Sequence, residues 1–217
     1  MSATGRERAT ADADTEPSPA GPVGLVLAAG GGTRLGLGPK ALVPVRGTTL
    51  VERTARALRD GGCCEVVVVT GAGADQVDSA LFGMGGVRCI RNPHWREGMG
   101  GSLRCGLETV GPGHDVLVCP VDRTGLRAEE VARVIAAHRP GQITAAAHRA
   151  GAGPLRRGHP VLLGARWTGP AAAAAHADVG ARDLLRAQHE IVQLVDCSDL
   201  DDGGDLDAPA DLWRLGS

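Results

Sequence analysis

From residue 23 onward, short β-branched runs alternate with longer stretches whose apolar positions recur at helical spacing. The segments "VGLVLAAG" (23–30), "CEVVVVTG" (64–71), "VRCI" (87–90) and "HDVLVCPVD" (114–122) have the length and apolar continuity of strands covered on both faces. Between them, "TLVERTARALRDGG" (49–62), "ADQVDSALFG" (74–83), "GGSLRCGLETV" (100–110) and "RAEEVARVIAAHRPG" (127–141) read as helices, the first closed by glycine and the last stopped at Pro140 and Gly141. Beyond Gly141 the rhythm loosens. "QITAAAH" and "HPVLLG" predict strands flanking the loop "GAGPLRRG", and an alanine-rich stretch leads to a short helix at "VGARDLLRAQ". A strand at "EIVQLVD" and the acidic "CSDLDDGGDLDAPADLWRLGS" follow.

Alternating strands and helices imply a three-layer α/β/α sandwich with a mostly parallel, Rossmann-like open sheet. In such sheets, ligands sit beyond the carboxyl ends of the strands. Four loops therefore gather on one rim: the glycine loop after the first strand, "TGAGAD", "NPHWREGMGGS" and "PVDRTG". A length of 217 residues suits one domain, expected over 23–217. The first 22 residues, "MSATGRERATADADTEPSPAGP", lack an apolar core and are expected to form a disordered tail rather than a signal peptide. A net charge of -2 without a basic stripe excludes a nucleic-acid footprint. No apolar run approaches the roughly 20 residues of a membrane span. Six cysteines without a CxxC pair are expected to be reduced and mostly buried, in a chain that stays in the cytoplasm.

The loop "LAAGGGTRLGLGPK" (27–40) narrows the chemistry. A dinucleotide fingerprint needs GxGxxG and an acidic strand end about 20 residues on, but Leu35 stands where the third glycine belongs and the second strand ends in Thr70. The triphosphatase loop needs GK followed by Ser or Thr, whereas Lys40 lies between Pro39 and Ala41. What remains is a loop long enough to wrap a triphosphate with backbone amides, with Arg34 and Lys40 supplying charge. Asp122 ends the fourth strand and Asp207 follows another; if they converge, they make a hard-oxygen Mg²⁺ site with the triphosphate as co-ligand. Gly98 to Ser102 precede a helix, so their amides and the Ser102 hydroxyl can receive an anion or a base edge, or Ser102 can serve as a plain N-cap.

The same loop resembles the signature of nucleotidyltransferases that build cytidine and guanosine diphosphate conjugates. Further segments are similar to one branch, the molybdenum cofactor cytidylyltransferases and their close relatives. These are "NPHWREGMGGSLRCG" (92–106), "RGHPVLL" (157–163), "ADVGARDLL" (177–185), with Ala177 in place of a glycine, and "DLDAPADL" (205–212). The resemblance implies transfer of CMP from CTP to the terminal phosphate of molybdopterin with release of pyrophosphate. Arg34, Lys40 and Asp122 would be catalytic, and Mg²⁺ would be the cofactor, held by Asp122 and Asp207. Nucleotide contacts would come from Leu27, Ala28, Ala29, Gly30, Gly31, Gly32, Thr70, Gly98 and Ser102. Arg123, Gly158, His159, Asp178 and Arg182 would face the acceptor, with His159 shaping the pocket. A transient contact with a molybdoenzyme is also implied. Ala29, where guanylyltransferase relatives frequently carry glycine, tilts the base toward cytosine. Relatives usually follow the metal aspartate with Gln-Pro, but this chain reads Asp122-Arg123-Thr124-Gly125. That departure keeps two alternatives open: another phosphorylated acceptor, including a GTP-using guanylyltransferase, and a non-catalytic nucleotide-binding accessory protein for cofactor insertion.

Overall fold

Six consecutive buried residues, Val23–Ala28, form β1 at the heart of the sheet. The computed structural model describes residues 21–151 and 153–215, so all but Gly21 and Pro22 of the expected N-terminal tail lies outside the described residues. β1 pairs in parallel with β4 (Glu65–Thr70) on one side and β6 (Val116–Pro120) on the other. Side chains alternate across a strand. Leu25 and Leu27 accordingly enter one apolar layer with Leu103 and Leu107 of α3 (Met99–Val110). Val26 and Ala28 enter the other with Leu50, Val51 and Leu58 of α1 (Leu50–Asp60). The second layer also takes Val77 from α2 (Ala74–Ala80), and Val131 and Val134 from α4 (Ala128–Ala137).

Helix α1 starts where its sequence provides a reciprocal cap. The Thr49 hydroxyl accepts from the Glu52 amide at 3.4 Å, and the Glu52 carboxylate accepts from the Thr49 amide at 2.8 Å. Just before it, β2 (Pro44–Val45) and β3 (Thr48–Thr49) form a short hairpin that the apolar pattern does not announce.

With β5 (Val87–Arg91), β7 (Ile143–His148), β8 (Arg156–Leu163) and β9 (Val192–Asp196), the main sheet runs β5-β4-β1-β6-β8-β7-β9. Only β8 opposes its neighbours, pairing antiparallel with both β6 and β7. Its register, Val118 against Val161 and Val116 against Leu163, sets the beginning of β8 beside the carboxyl end of β6. Residues 157–159, in the first half of β8, thereby reach the same rim as the loops that follow β1, β4 and β6. β8 also begins at Arg156, earlier than "HPVLLG" suggests.

The alanine-rich stretch forms α5 (Ala165–Ala174) despite Pro170 within it. Proline there removes a single helical N–H, the one that would serve the Arg166 carbonyl. The expected helix over 179–188 is shorter, α6 (Arg182–Ala187). Near the C-terminus, the Leu206 amide donates to the Asp122 carbonyl at 3.0 Å, and Leu206 is fully buried. The 205–207 segment is thus laid against the end of β6. All six cysteines are free; Cys63, Cys119 and Cys197 are buried and Cys64 is exposed. Among the described residues no helix is long and apolar enough to cross a membrane.

Candidate active site

The loop after β1 folds back on itself. Gly32 adopts a φ of +62°, and its carbonyl accepts from the amides of Leu35 and Gly36, each at 3.1 Å. A Cβ at residue 32 would lie 2.0 Å from the Gly38 carbonyl oxygen, so both the backbone angle and the space demand glycine. The Trp95 ring covers Gly31, where an added Cβ would sit 3.3 Å from two ring carbons. Leu27, Ala28 and Ala29 are buried beneath the loop, whereas Gly30 is exposed. None of the Gly30, Gly31 and Gly32 amides donates to another described residue. They are free for phosphate oxygens.

Arg34 is exposed on the outer turn of this loop. Exchanging it for lysine keeps the charge but removes the planar fork. Arg34→Lys is therefore expected to lower kcat/KM for a nucleotide by about tenfold or more, with no change in melting temperature. Steady-state kinetics and thermal unfolding on the same preparation check this; a near-normal rate would leave Arg34 as a solvated loop charge.

Lys40 begins a 3₁₀ turn, Lys40–Leu42, which turns its side chain inward. Its ammonium donates to Asp122 Oδ2 at 2.9 Å and to Asp207 Oδ1 at 2.7 Å. Burial works against that charge, but Asp122 and Asp207 outweigh it and hold the Lys40 pKa above its ordinary value. A third carboxyl, Asp205, is pushed up to about 6, first by burial and then by the Asp122 charge. Two carboxylates on one ammonium, with Asp205 nearby, leave a surplus of negative charge. Among the described residues no group of three or more His, Cys, Asp or Glu could hold a metal ion. The Asp122 and Asp207 pair alone would fit Mg²⁺ only with its shell completed by water and phosphate. Asp122 and Asp207 would be its protein ligands.

On the acceptor side, a cleft of about 320 Å³ opens between β8, α3 and the chain around α6. Leu27, Leu103, Val118 and Val161 make its apolar floor, and Arg157, His159, Arg182 and Asp205 line it with polar groups. Gly158 lines it as well. The His159 imidazole is pushed down to about 4, first by burial, then by Arg123 and Arg157. It is neutral at pH 7, as a pocket wall requires. The Arg157 pKa is lowered by burial and by the charges of Arg186 and Arg182, so positive charge collects on this face of the cleft. An anionic ligand would relieve it.

Five expected contacts need correction. Arg123 does not face the acceptor: its side chain is 1% exposed and engages Glu130 and Asp201 in the interior. Thr70 is fully buried, with its hydroxyl on the Ile90 carbonyl at 3.1 Å and its own carbonyl accepting from the Asn92 amide. Ser102 is neither cap nor ligand contact, because helix α3 already begins at Met99 and the Ser102 hydroxyl accepts from the Asn92 side chain at 3.1 Å. The start of α3 is not free either. The Gly100 amide donates to the Ala177 carbonyl at 2.6 Å and the Met99 amide to Asp178 Oδ1 at 3.4 Å. Asp178 therefore serves the start of α3, and Gly98 makes room for the chain opposite, where a Cβ at residue 98 would lie 2.4 Å from the Ala177 carbonyl carbon. Ala177, standing where relatives carry glycine, keeps the left-handed turn at a φ of 41°.

Asp205, Trp95 and Arg157 belong to the site without having been singled out. Their signals were present, since Trp95 lies inside the Asn-Pro segment, Asp205 opens the closing "DLD", and Arg157 precedes Gly158.

A glycine loop, a lysine between two aspartates and an adjoining cleft lined by Arg157 and Arg182 share one rim of the sheet, the arrangement expected of a nucleotidyltransferase. Residues 24–192 match the MobA-like NTP transferase domain, and the chain belongs to that family. The matched residues end before Asp205 and Asp207. Nicotine blue oxidoreductase of Paenarthrobacter nicotinovorans is 43% identical over 88% of this chain and 95% of its own length. A nucleotidyl transferase from Methanothermobacter thermautotroptrophicus superposes with a TM-score of 0.75 at 25% identity, covering 89% of this chain and 94% of that one. The Mycobacterium tuberculosis H37Rv protein Rv0371c does so with 0.74 at 27% identity, over 91% and 100% of the two chains. Rv0371c has also been solved as a complex with manganese.

Proposed function

We propose that this protein transfers CMP from CTP to the phosphate of molybdopterin, releasing pyrophosphate with Mg²⁺ as cofactor. The observation that carries the reading is Lys40, held at 2.9 and 2.7 Å by two carboxylates at the mouth of the glycine loop and beside the cleft. The free amides of Gly30 to Gly32 would bind phosphate oxygens, and Arg34 would close over them. Lys40 would turn from its carboxylates to the leaving pyrophosphate. An acceptor phosphate oxygen forms the new bond to the α-phosphorus as the α–β bridge breaks. That oxygen is already ionised near neutral pH, so no general base is required, in keeping with a neutral His159. Mg²⁺ bound at Asp122 and Asp207 would supply charge neutralisation between the two anions.

The test is pyrophosphate release with molybdopterin, Mg²⁺ and each of the four ribonucleotides. CTP is expected to exceed GTP by about tenfold or more in kcat/KM. Equal rates with GTP overturn the base assignment; release with a different phosphorylated acceptor but not with molybdopterin moves the activity to that acceptor.

The relative that is 43% identical supports a second reading, an oxidoreductase acting on nicotine blue or a compound of that kind. The cleft, with its apolar floor, would hold that compound, and a separate two-electron donor would supply the electrons. Reduction of nicotine blue by such a donor, with no pyrophosphate release from any nucleotide, would select this reading.

A further inference from the structure

We propose that Arg123 is a positioning residue: its guanidinium ties the 201–207 segment to the sheet and thereby holds Asp207 beside Asp122 and Lys40. What that centre does rests on the reading above; how it is held does not.

Arg123 follows Asp122 directly, yet its side chain runs inward and meets three separate parts of the chain. Nε donates to the His159 carbonyl at 3.3 Å, at the start of β8. One terminal nitrogen donates to Asp201 Oδ1 at 2.8 Å and to the Gly204 carbonyl at 3.3 Å. The other donates to both Glu130 oxygens at 3.2 Å, at the start of α4. Five N–H donors thus find five acceptors, which the guanidinium alone among side chains can offer. Lysine would supply charge with three donors and no fork.

The neighbouring sequence is shaped around this arrangement. A Cβ at Gly125 would lie 1.6 Å from Asp201 Oδ2, so the glycine in the altered Asp122-Arg123-Thr124-Gly125 run makes room for the Asp201 carboxylate. Asp201 in turn fixes its own turn by accepting from the Gly203 amide at 2.7 Å. Glu130 is fully buried between Arg123 and the His148 imidazole, whose Nε2 lies 3.1 Å from Glu130 Oε1. From Asp201 the chain proceeds to the Arg123–Asp205 bridge, the buried Leu206 and then Asp207. Arg123 grips this segment at Asp201 and Gly204, immediately ahead of both carboxylates. The pair that relatives provide as Gln-Pro is replaced here by an internal strut.

Three variants test the proposal: Asp201→Ala, which removes the Asp201 part of the tie and leaves the Gly204 contact and the Arg123–Glu130 pair in place, Arg123→Gln, and Asp201→Asn, which retains an acceptor oxygen. Hydrogen exchange at the Leu206 amide reads segment docking, and Mn²⁺ titration followed by electron paramagnetic resonance reads the carboxylate pair. Asp201→Ala and Arg123→Gln are expected to speed Leu206 exchange by about tenfold or more with Val26 and Val118 unchanged. They are expected to weaken Mn²⁺ binding by about tenfold or more, while Asp201→Asn stays near the parent in both. Should Arg123→Gln fail to fold, Asp201→Ala carries the test. Unchanged exchange at Leu206 overturns the proposal, as does faster exchange with Mn²⁺ affinity retained. If the parent protein binds no Mn²⁺, the metal reading fails separately, and Leu206 exchange alone decides whether Arg123 holds the segment.

Discussion

Asp122→Asn is expected to leave the fold intact and cut nucleotidyl transfer by about 10²–10³-fold, as the loss of a group that manages transition-state charge does elsewhere. Asp207→Asn should have an effect of the same order, because both carboxylates meet one ammonium, at 2.9 and 2.7 Å. They act as one unit. The double variant should therefore be little worse than either single one, in the way that partners in a shared site fail to add. Stability should hardly move in Asp207→Asn, whose side chain is 59% exposed, so that its ion pair contributes no more than about 1 kcal/mol; Asp122, 21% exposed beside a Lys40 that is 17% exposed, should cost more. Pyrophosphate release and thermal unfolding on the three variants check both parts. Losses that multiply would mean that the two aspartates do separate jobs.

On the function proposed above, Lys40→Met should lower kcat by about 10²-fold and raise the KM for CTP, because the ammonium would serve the leaving pyrophosphate as well as the bound nucleotide. A second effect has the opposite sign. In the nucleotide-free protein Lys40 and a divalent cation would compete for the same two carboxylates, so removing the ammonium should tighten Mn²⁺ binding. Paramagnetic resonance titration of Lys40→Met against the parent protein measures that directly. Weaker binding would make Lys40 a brace that holds Asp122 and Asp207 in place rather than a competitor for them.

The half of the fold before Gly141 was legible because its strands and helices each carry an apolar pattern that only one kind of element can bury. β1 and α1 are the clearest cases. Later elements depend on what they pack against: α5 forms around Pro170, and β8 takes its antiparallel place from pairing with β6 and β7 rather than from its own pattern. In the site, the glycine loop could be read because sterics allow few alternatives at Gly32. Hydroxyl groups could not, since Thr70 and Ser102 find partners, the Ile90 carbonyl and Asn92, that sequence spacing does not reveal. The inward course of Arg123 had one available signal. Glu130 falls on the same helical stripe as Val131 and Val134, and a carboxylate on an apolar stripe calls for a buried cation.

Asp207 reaches the centre on the segment laid across the end of β6, 167 positions along the chain from Lys40. On the ribosome, the glycine loop, β4 and β6 emerge long before it. Until it emerges, Lys40 has only Asp122 to pair with. On the function proposed above, the centre would be complete only once the final segment docks, so translation itself would set the order in which capability appears. A polypeptide ending near residue 200 would keep every strand of the main sheet, through β9, and lack the carboxylate that completes the pair. On the function proposed above such a product would be silent, and it would also lack the fully buried Leu206.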